Sequence, residues 1–254
     1  MKKVRIIPRL DIKGPNVVKG IHCEGLRVVG NPIELAKRYY KDGADELLCI
    51  DIVASLYQRN FDFELLRAAA KAVFIPITAG GGIRSINDIN NILRAGADKV
   101  AINTYAIKNP VFITEAARRF GSQCVVISIE AKKIGANKWE AYTDGGREKT
   151  GVDAVEWAQK AIILGAGEIL ITSIDNDGVK NGYDIELTKA VSQSSPIPVI
   201  AHGGAGNINS FDGILKEYPV EGLSAASVFH YNELTVKDVK KSLKPETILV
   251  SIIY

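Results

Sequence analysis

Short apolar, β-branched runs alternate with amphipathic stretches along almost the whole chain. The runs are VRIIPRL (4–10), ELLCIDI (46–52), FIPITA (74–79), KVAIN (99–103), CVVISIE (124–130), EILITSI (168–174), IPVIA (197–201) and GLSAA (222–226). Helical patterns fill the gaps, as in NPIELAKRYYKDGA (31–44), where Pro32 suits a first helical turn and Gly43 a C-terminal cap. DAVEWAQKAIILGA (153–166) likewise closes on glycine. Strands that are nearly continuously apolar are buried on both faces, which is the property of parallel sheets. Eight such βα units in 254 residues predict an α/β chain folded as a single (β/α)8 TIM barrel. A doubly wound sheet would be crowded by eight units, and no GxGxxG follows the first strand.

The pattern also repeats. Gly43-Ala44-Asp45-Glu46-Leu47-Leu48 matches Gly165-Ala166-Gly167-Glu168-Ile169-Leu170, and Ile75-Pro76 matches Ile197-Pro198, both 122 positions on. Ala101-Ile102-Asn103-Thr104 faces Ser224-Ala225-Ala226-Ser227 one position further out. Two similar half-barrels, approximately 1–120 and 121–254, would produce this spacing.

In such barrels the C-terminal strand ends build the active site. Gly80, Gly81 and Gly82 follow the third strand, and Gly203 and Gly204 the seventh; Asn103-Thr104 and Ala226-Ser227 end the fourth and eighth. Glycine lets a backbone approach an anion closely. The glycines would serve tight βα turns equally well. Their duplication beside paired hydroxyl residues favours two phosphate sites, hence a substrate with a phosphate at each end. Asp11 and Glu130 end the equivalent first and fifth strands and face each other between those sites. Two such carboxylates suit a general acid and a general base, or else ion pairs with Lys13, Lys19 or Lys132. Asp51, Asp175 and Asp177 are further candidates, although Asp177-Gly178 also reads as a turn. At the other end of the strands, Arg5, Glu46, Lys99 and Glu168 allow a ring of ion pairs around the barrel axis.

Composition narrows the partners. The chain is 46% hydrophobic with a formal net charge of +3 and no Lys/Arg block, which argues against nucleic acid. No apolar run approaches the roughly 20 residues of a membrane span, and the N-terminus lacks a signal peptide's apolar region. The three cysteines, Cys23, Cys49 and Cys124, lack metal-like spacing and read as reduced thiols of a cytoplasmic protein, with Cys49 and Cys124 in the core.

The ordered motifs RIIPRLDIK, GADELLCIDI, PITAGGGIRS, LRAGADKVAIN, FGSQCVVISIEAK, GAGEILITSIDNDG, IAHGGAGN and AASVFH resemble the HisF family, the cyclase subunits of imidazole glycerol phosphate synthase. The resemblance covers nearly the whole chain. It implies a cyclase converting the bisphosphorylated phosphoribulosyl-formimino-AICAR ribonucleotide into imidazole glycerol phosphate and AICAR, without metal or redox cofactor. It also implies a class I glutaminase docked at the barrel bottom in a heterodimer, its ammonia passing through the barrel. By the same resemblance Asp11 is catalytic and Lys19 is the loop lysine. Gly81, Gly82, Asn103 and Thr104 belong to one phosphate site; Asp177, Gly178, Gly203, Gly204, Ala226 and Ser227 fall in the other. Arg5, Glu46, Lys99 and Glu168 match the ammonia gate, and Asp98 matches the glutaminase interface. Four positions depart from the family pattern. Glu130 replaces a second catalytic aspartate, Arg9 a cysteine, His202 a small residue, and Asp144 puts an acid in a loop that seldom has one. These departures raise a second reading: a HisF-like ammonia-channel subunit serving an amidotransferase that forms acetamidino sugars in surface-polysaccharide biosynthesis. A HisA-type sugar isomerase, which shares the two-phosphate barrel, fits the gate residues less well.

Overall fold

Successive residues of a strand point to opposite faces, so the continuously apolar runs pack one face against the helices and the other into the barrel lumen. The computed structural model, which describes residues 3–218 and 220–243, has twelve strands. They are β1 (Arg5–Lys13), β2 (Asn16–Ile21), β3 (Glu24–Gly30), β4 (Leu47–Asp51), β5 (Ile77–Gly80), β6 (Lys99–Ile102), β7 (Val125–Gly135), β8 (Lys138–Thr143), β9 (Glu148–Asp153), β10 (Glu168–Ser173), β11 (Val199–His202) and β12 (Gly222–Ala225). Eight of them, β1, β4, β5, β6, β7, β10, β11 and β12, pair in parallel and in that order, and β12 returns to β1 to close a (β/α)8 barrel.

The remaining four strands form two hairpins that the hydrophobic pattern does not disclose. β2–β3 follows the first barrel strand, and β8–β9 follows the fifth. Their outer strands are mostly exposed, and their few apolar residues, such as Val28, Val29 and Val152, are broken up by Gly, Arg, Lys and Glu, so no sustained apolar run marks them. Both ribbons directly follow a barrel strand and lie over the barrel mouth.

The main core lies between barrel and helices, with Ile6, Leu10, Leu47 and Ile127 among its fully buried members. A second, smaller cluster fills the lumen: Ile7, Leu48, Ala101, Val126, Leu170 and Ile200. Neighbours such as Ile6 and Ile7 thus serve opposite sides of one strand. Cys49 is buried as expected, but Cys124 is only half-buried, because it sits in a single 3-10 turn (Ser122–Cys124) ahead of β7. No helix among the described residues is long and apolar enough to cross a membrane.

Candidate active site

The lumen is layered. At the bottom, the starts of β1, β4, β6 and β10 bring Arg5, Glu46, Lys99 and Glu168 into one closed ring. Arg5 Nη1 lies 2.6 Å from Glu46, and its other terminal nitrogen meets Glu168. Lys99 Nζ lies 2.8 Å from Glu46 and 2.7 Å from Glu168, so each carboxylate touches both cations. Thr78 donates a further hydrogen bond of 2.6 Å to Glu46. Asp98 is exposed beside this ring, where its carboxylate accepts from the backbone N–H of Ile77. The apolar layer of Ile7, Leu48, Ala101, Val126, Leu170 and Ile200 lies above it.

The top layer is polar and also closely linked. Arg9, buried in β1, donates to Asp11 at 2.7 Å and to the Thr172 hydroxyl at 3.3 Å. Lys19, carried into the mouth by β2, lies 3.3 Å from the other oxygen of Asp11 and 2.8 Å from Asp177. Burial by itself would raise the Asp11 carboxyl, but Arg9 and Lys19 outweigh it and hold Asp11 below the ordinary carboxylate range. Asp177 is held down in the same way, with Lys19 and then His202 offsetting burial. Glu130, across the lumen on β7, goes the other way. Burial raises it more than Arg9 and the backbone N–H of Gly146 lower it. It accepts from Asn103 Nδ2 at 3.0 Å.

The two glycine ends open onto different spaces. On the first half, Gly81, Gly82, Asn103, Thr104, Glu130 and Asp144 border a cavity of about 280 Å³. On the second half, Lys19, Asp177, Gly178, Gly203, Gly204, Ala226 and Ser227 border one of only about 10 Å³. His202 also lines this second space; its Nδ1 is 3.0 Å from Ser224 Oγ and its Nε2 3.5 Å from Asp177. Burial first, and Arg9 next, lower its pKa, so the ring is neutral rather than a ready anion partner. The backbone at Asn103 (φ −123°, ψ −88°) and at Ala226 (φ −128°, ψ −74°) is nearly the same, a rare conformation at matching positions. Gly82 and Gly204 have φ of +70° and +104°, and a Cβ there would come within 2.1 Å and 1.9 Å of backbone oxygens. Tight packing therefore demands glycine at both positions whether or not an anion binds.

The remaining acidic candidates have structural partners. Asp51 pairs with Arg59 at 2.7 Å and accepts from the N–H groups of Val53 and Ala54. Asp175 accepts from the N–H of Lys133. Of the lysines offered as ion-pair partners, only Lys19 reaches Asp11. Sequence reading does not single out Ser55, Thr172 or Ser224, three small hydroxyl residues whose contacts depend on which strands lie side by side.

Comparison with known proteins places this geometry in a lineage. The sequence model of the family described as histidine biosynthesis protein matches residues 5–235. An imidazole glycerol phosphate synthase subunit HisF of Legionella pneumophila is 60% identical over 212 residues, which is 84% of this chain and all of the relative. The chain belongs to the HisF family. The HisF subunit of Endomicrobium trichonymphae is 52% identical over 250 residues, 98% of this chain and 96% of its own. That of Streptococcus mutans is 48% identical over 250 residues, covering 98% of this chain and all of its own. As a HisF-family member the chain is an enzyme subunit of the imidazole glycerol phosphate synthase type.

Proposed function

We propose that the chain catalyses the cyclase half of imidazole glycerol phosphate synthesis, with Asp11 and Glu130 as its proton-handling pair. The reading rests above all on the opposite displacement of these two carboxyls across one lumen. Ammonia that adds to a carbonyl carbon must lose protons, and ionised Asp11 is set to receive one. The departing water and the departing aminoimidazole each need a proton; Glu130, whose carboxyl burial raises, gives one, and Asp11 returns for the other the proton it took from the added ammonia. The added methylene of Glu130 is accommodated by Asn103, whose amide meets its carboxylate. Lys19 stays cationic between Asp11 and Asp177, which raise its pKa against burial, and it orients an anionic substrate end.

A class I glutaminase docks at the barrel bottom, against Asp98 and the charged ring, and supplies the ammonia. The apolar lumen layer suits neutral ammonia and opposes ammonium, because a bare charge in that layer has no partner. The second reading, ammonia delivery to an acceptor bound elsewhere, draws on one observation. The second-half space of about 10 Å³ holds little more than a water.

The test is turnover of the bisphosphorylated ribonucleotide by the purified subunit in excess ammonium at alkaline pH. Imidazole glycerol phosphate should form, and Asp11→Asn and Glu130→Gln should each lower kcat by about a hundredfold or more. If wild-type protein matches a blank while Glu130→Asp turns over, the cyclase reading fails and delivery to another acceptor stands.

A further inference from the structure

The two halves differ in what meets their hydroxyl residues. The Ser227 hydroxyl on the second half has no hydrogen-bond partner among the described residues. Its counterpart Thr104 is engaged by Asp144, at the tip of the β8–β9 hairpin. The Thr104 hydroxyl accepts from the Asp144 N–H at 3.1 Å and lies 3.5 Å from its carboxylate. Ser55 donates to the same carboxylate oxygen at 2.6 Å, and Lys108 Nζ stands 3.9 Å from the other. A carboxylate surrounded by two hydroxyls and an ammonium, on the wall of a cavity whose rim includes Gly81 and Gly82, sits where an incoming anion would find its donors. The tip is built to present it: Asp144, Gly145 and Gly146 all have left-handed backbone (φ +53°, +73° and +79°). Arg147 holds the Asp144 carbonyl at 3.0 Å.

We propose that Asp144 is a specificity determinant of the mouth: its carboxylate occupies the first-half anion position, so that this half accepts a phosphate only when the hairpin tip withdraws. This rests on reading the two glycine ends as phosphate sites. A phosphate dianion brought to Thr104 and Ser55 would lie within a few ångströms of a fixed negative charge, and repulsion at that range outweighs one or two hydroxyl hydrogen bonds. A bisphosphorylated substrate therefore seats its first-half phosphate only with the hairpin tip withdrawn.

The experiment is a titration of the 15N-labelled full chain with inorganic phosphate, following the backbone amides of Gly82 and Thr104 for one half and of Gly204 and Ser227 for the other. Asp144→Asn is the test variant. Asparagine tolerates a left-handed backbone and its side-chain oxygen can still accept from Ser55, so charge alone is removed. In wild-type protein the first-half amides should respond at least tenfold more weakly than in Asp144→Asn, and the second-half amides should respond alike in the two proteins. First-half affinities equal within twofold in the two proteins would overturn the role of Asp144 and leave the phosphate sites standing. First-half amides silent in both, with the second half responding, would overturn it as well. If neither half responds in either protein, the phosphate reading itself is lost and the proposal goes with it.

Discussion

Arg9 carries much of the arrangement at the mouth. Its guanidinium is buried, touches Asp11 directly, and adds to the charge balance felt by Glu130 and Asp177. Removing it takes away the strongest influence that opposes burial at Asp11. In Arg9→Gln, the Asp11 carboxyl should rise. The base form is needed, so the acid limb of kcat/KM against pH should move to higher pH. Arg9→Lys should restore part of the shift. A lower rate with an unmoved limb would reduce Arg9 to packing. The departures at Arg9 and His202 were visible residue by residue; their partners were not, because Thr172 and Ser224 come from strands more than twenty positions away.

At the scale of elements, the short helix Ser227–His230 ends the second half much as Thr104–Lys108 ends the first. Its last residue, His230, is buried with Nδ1 2.6 Å from the Tyr39 hydroxyl. Burial lowers its pKa from 6.5 to about 4. The folded protein therefore keeps it neutral while the unfolded chain takes a proton near pH 6.5. Stability from this group is fully present above about pH 6.5 and is lost as pH falls toward 4, by up to about 3 kcal/mol. Urea midpoints between pH 7 and 4.5 should fall, and in His230→Gln the fall should be shallower by that amount. Identical slopes would place the acid sensitivity in the carboxylates instead. The β2–β3 and β8–β9 hairpins belong to this scale too. Half-exposed ribbons over a mouth need no continuous apolar face, so the sequence does not mark them, yet they deliver Lys19 and Asp144.

For the whole molecule, the ring of Arg5, Glu46, Lys99 and Glu168 closes the lumen at the end opposite the mouth. Arg5→Ala leaves two buried carboxylates sharing Lys99. Uncompensated buried charge of this kind costs up to about 3–5 kcal/mol, less here because Arg5 is 19% exposed. The melting temperature should drop by several degrees. In complex with a glutaminase, product formed per glutamine hydrolysed should also fall as ammonia escapes. A preserved ratio would take the ring off the ammonia path.

The sequence by itself determined the eight βα units, their parallel order and the repeat, because continuous apolar runs and the turns that bound them are local and leave their mark in every unit. It also brought Asp11, Glu130 and the four ring residues into view, since a strand's two ends are known once the strand is known. Which charges neutralise one another was decided only by the closed barrel. Asp11 is held down because Arg9 and Lys19 from β1 and β2 outweigh its burial, whereas Glu130 is raised because burial on β7 outweighs Arg9. Both balances depend on what lies within a few ångströms in the closed barrel. The unequal ends, one roomy and bordered by Asp144, the other small and bordered by His202, are likewise a property of the fold.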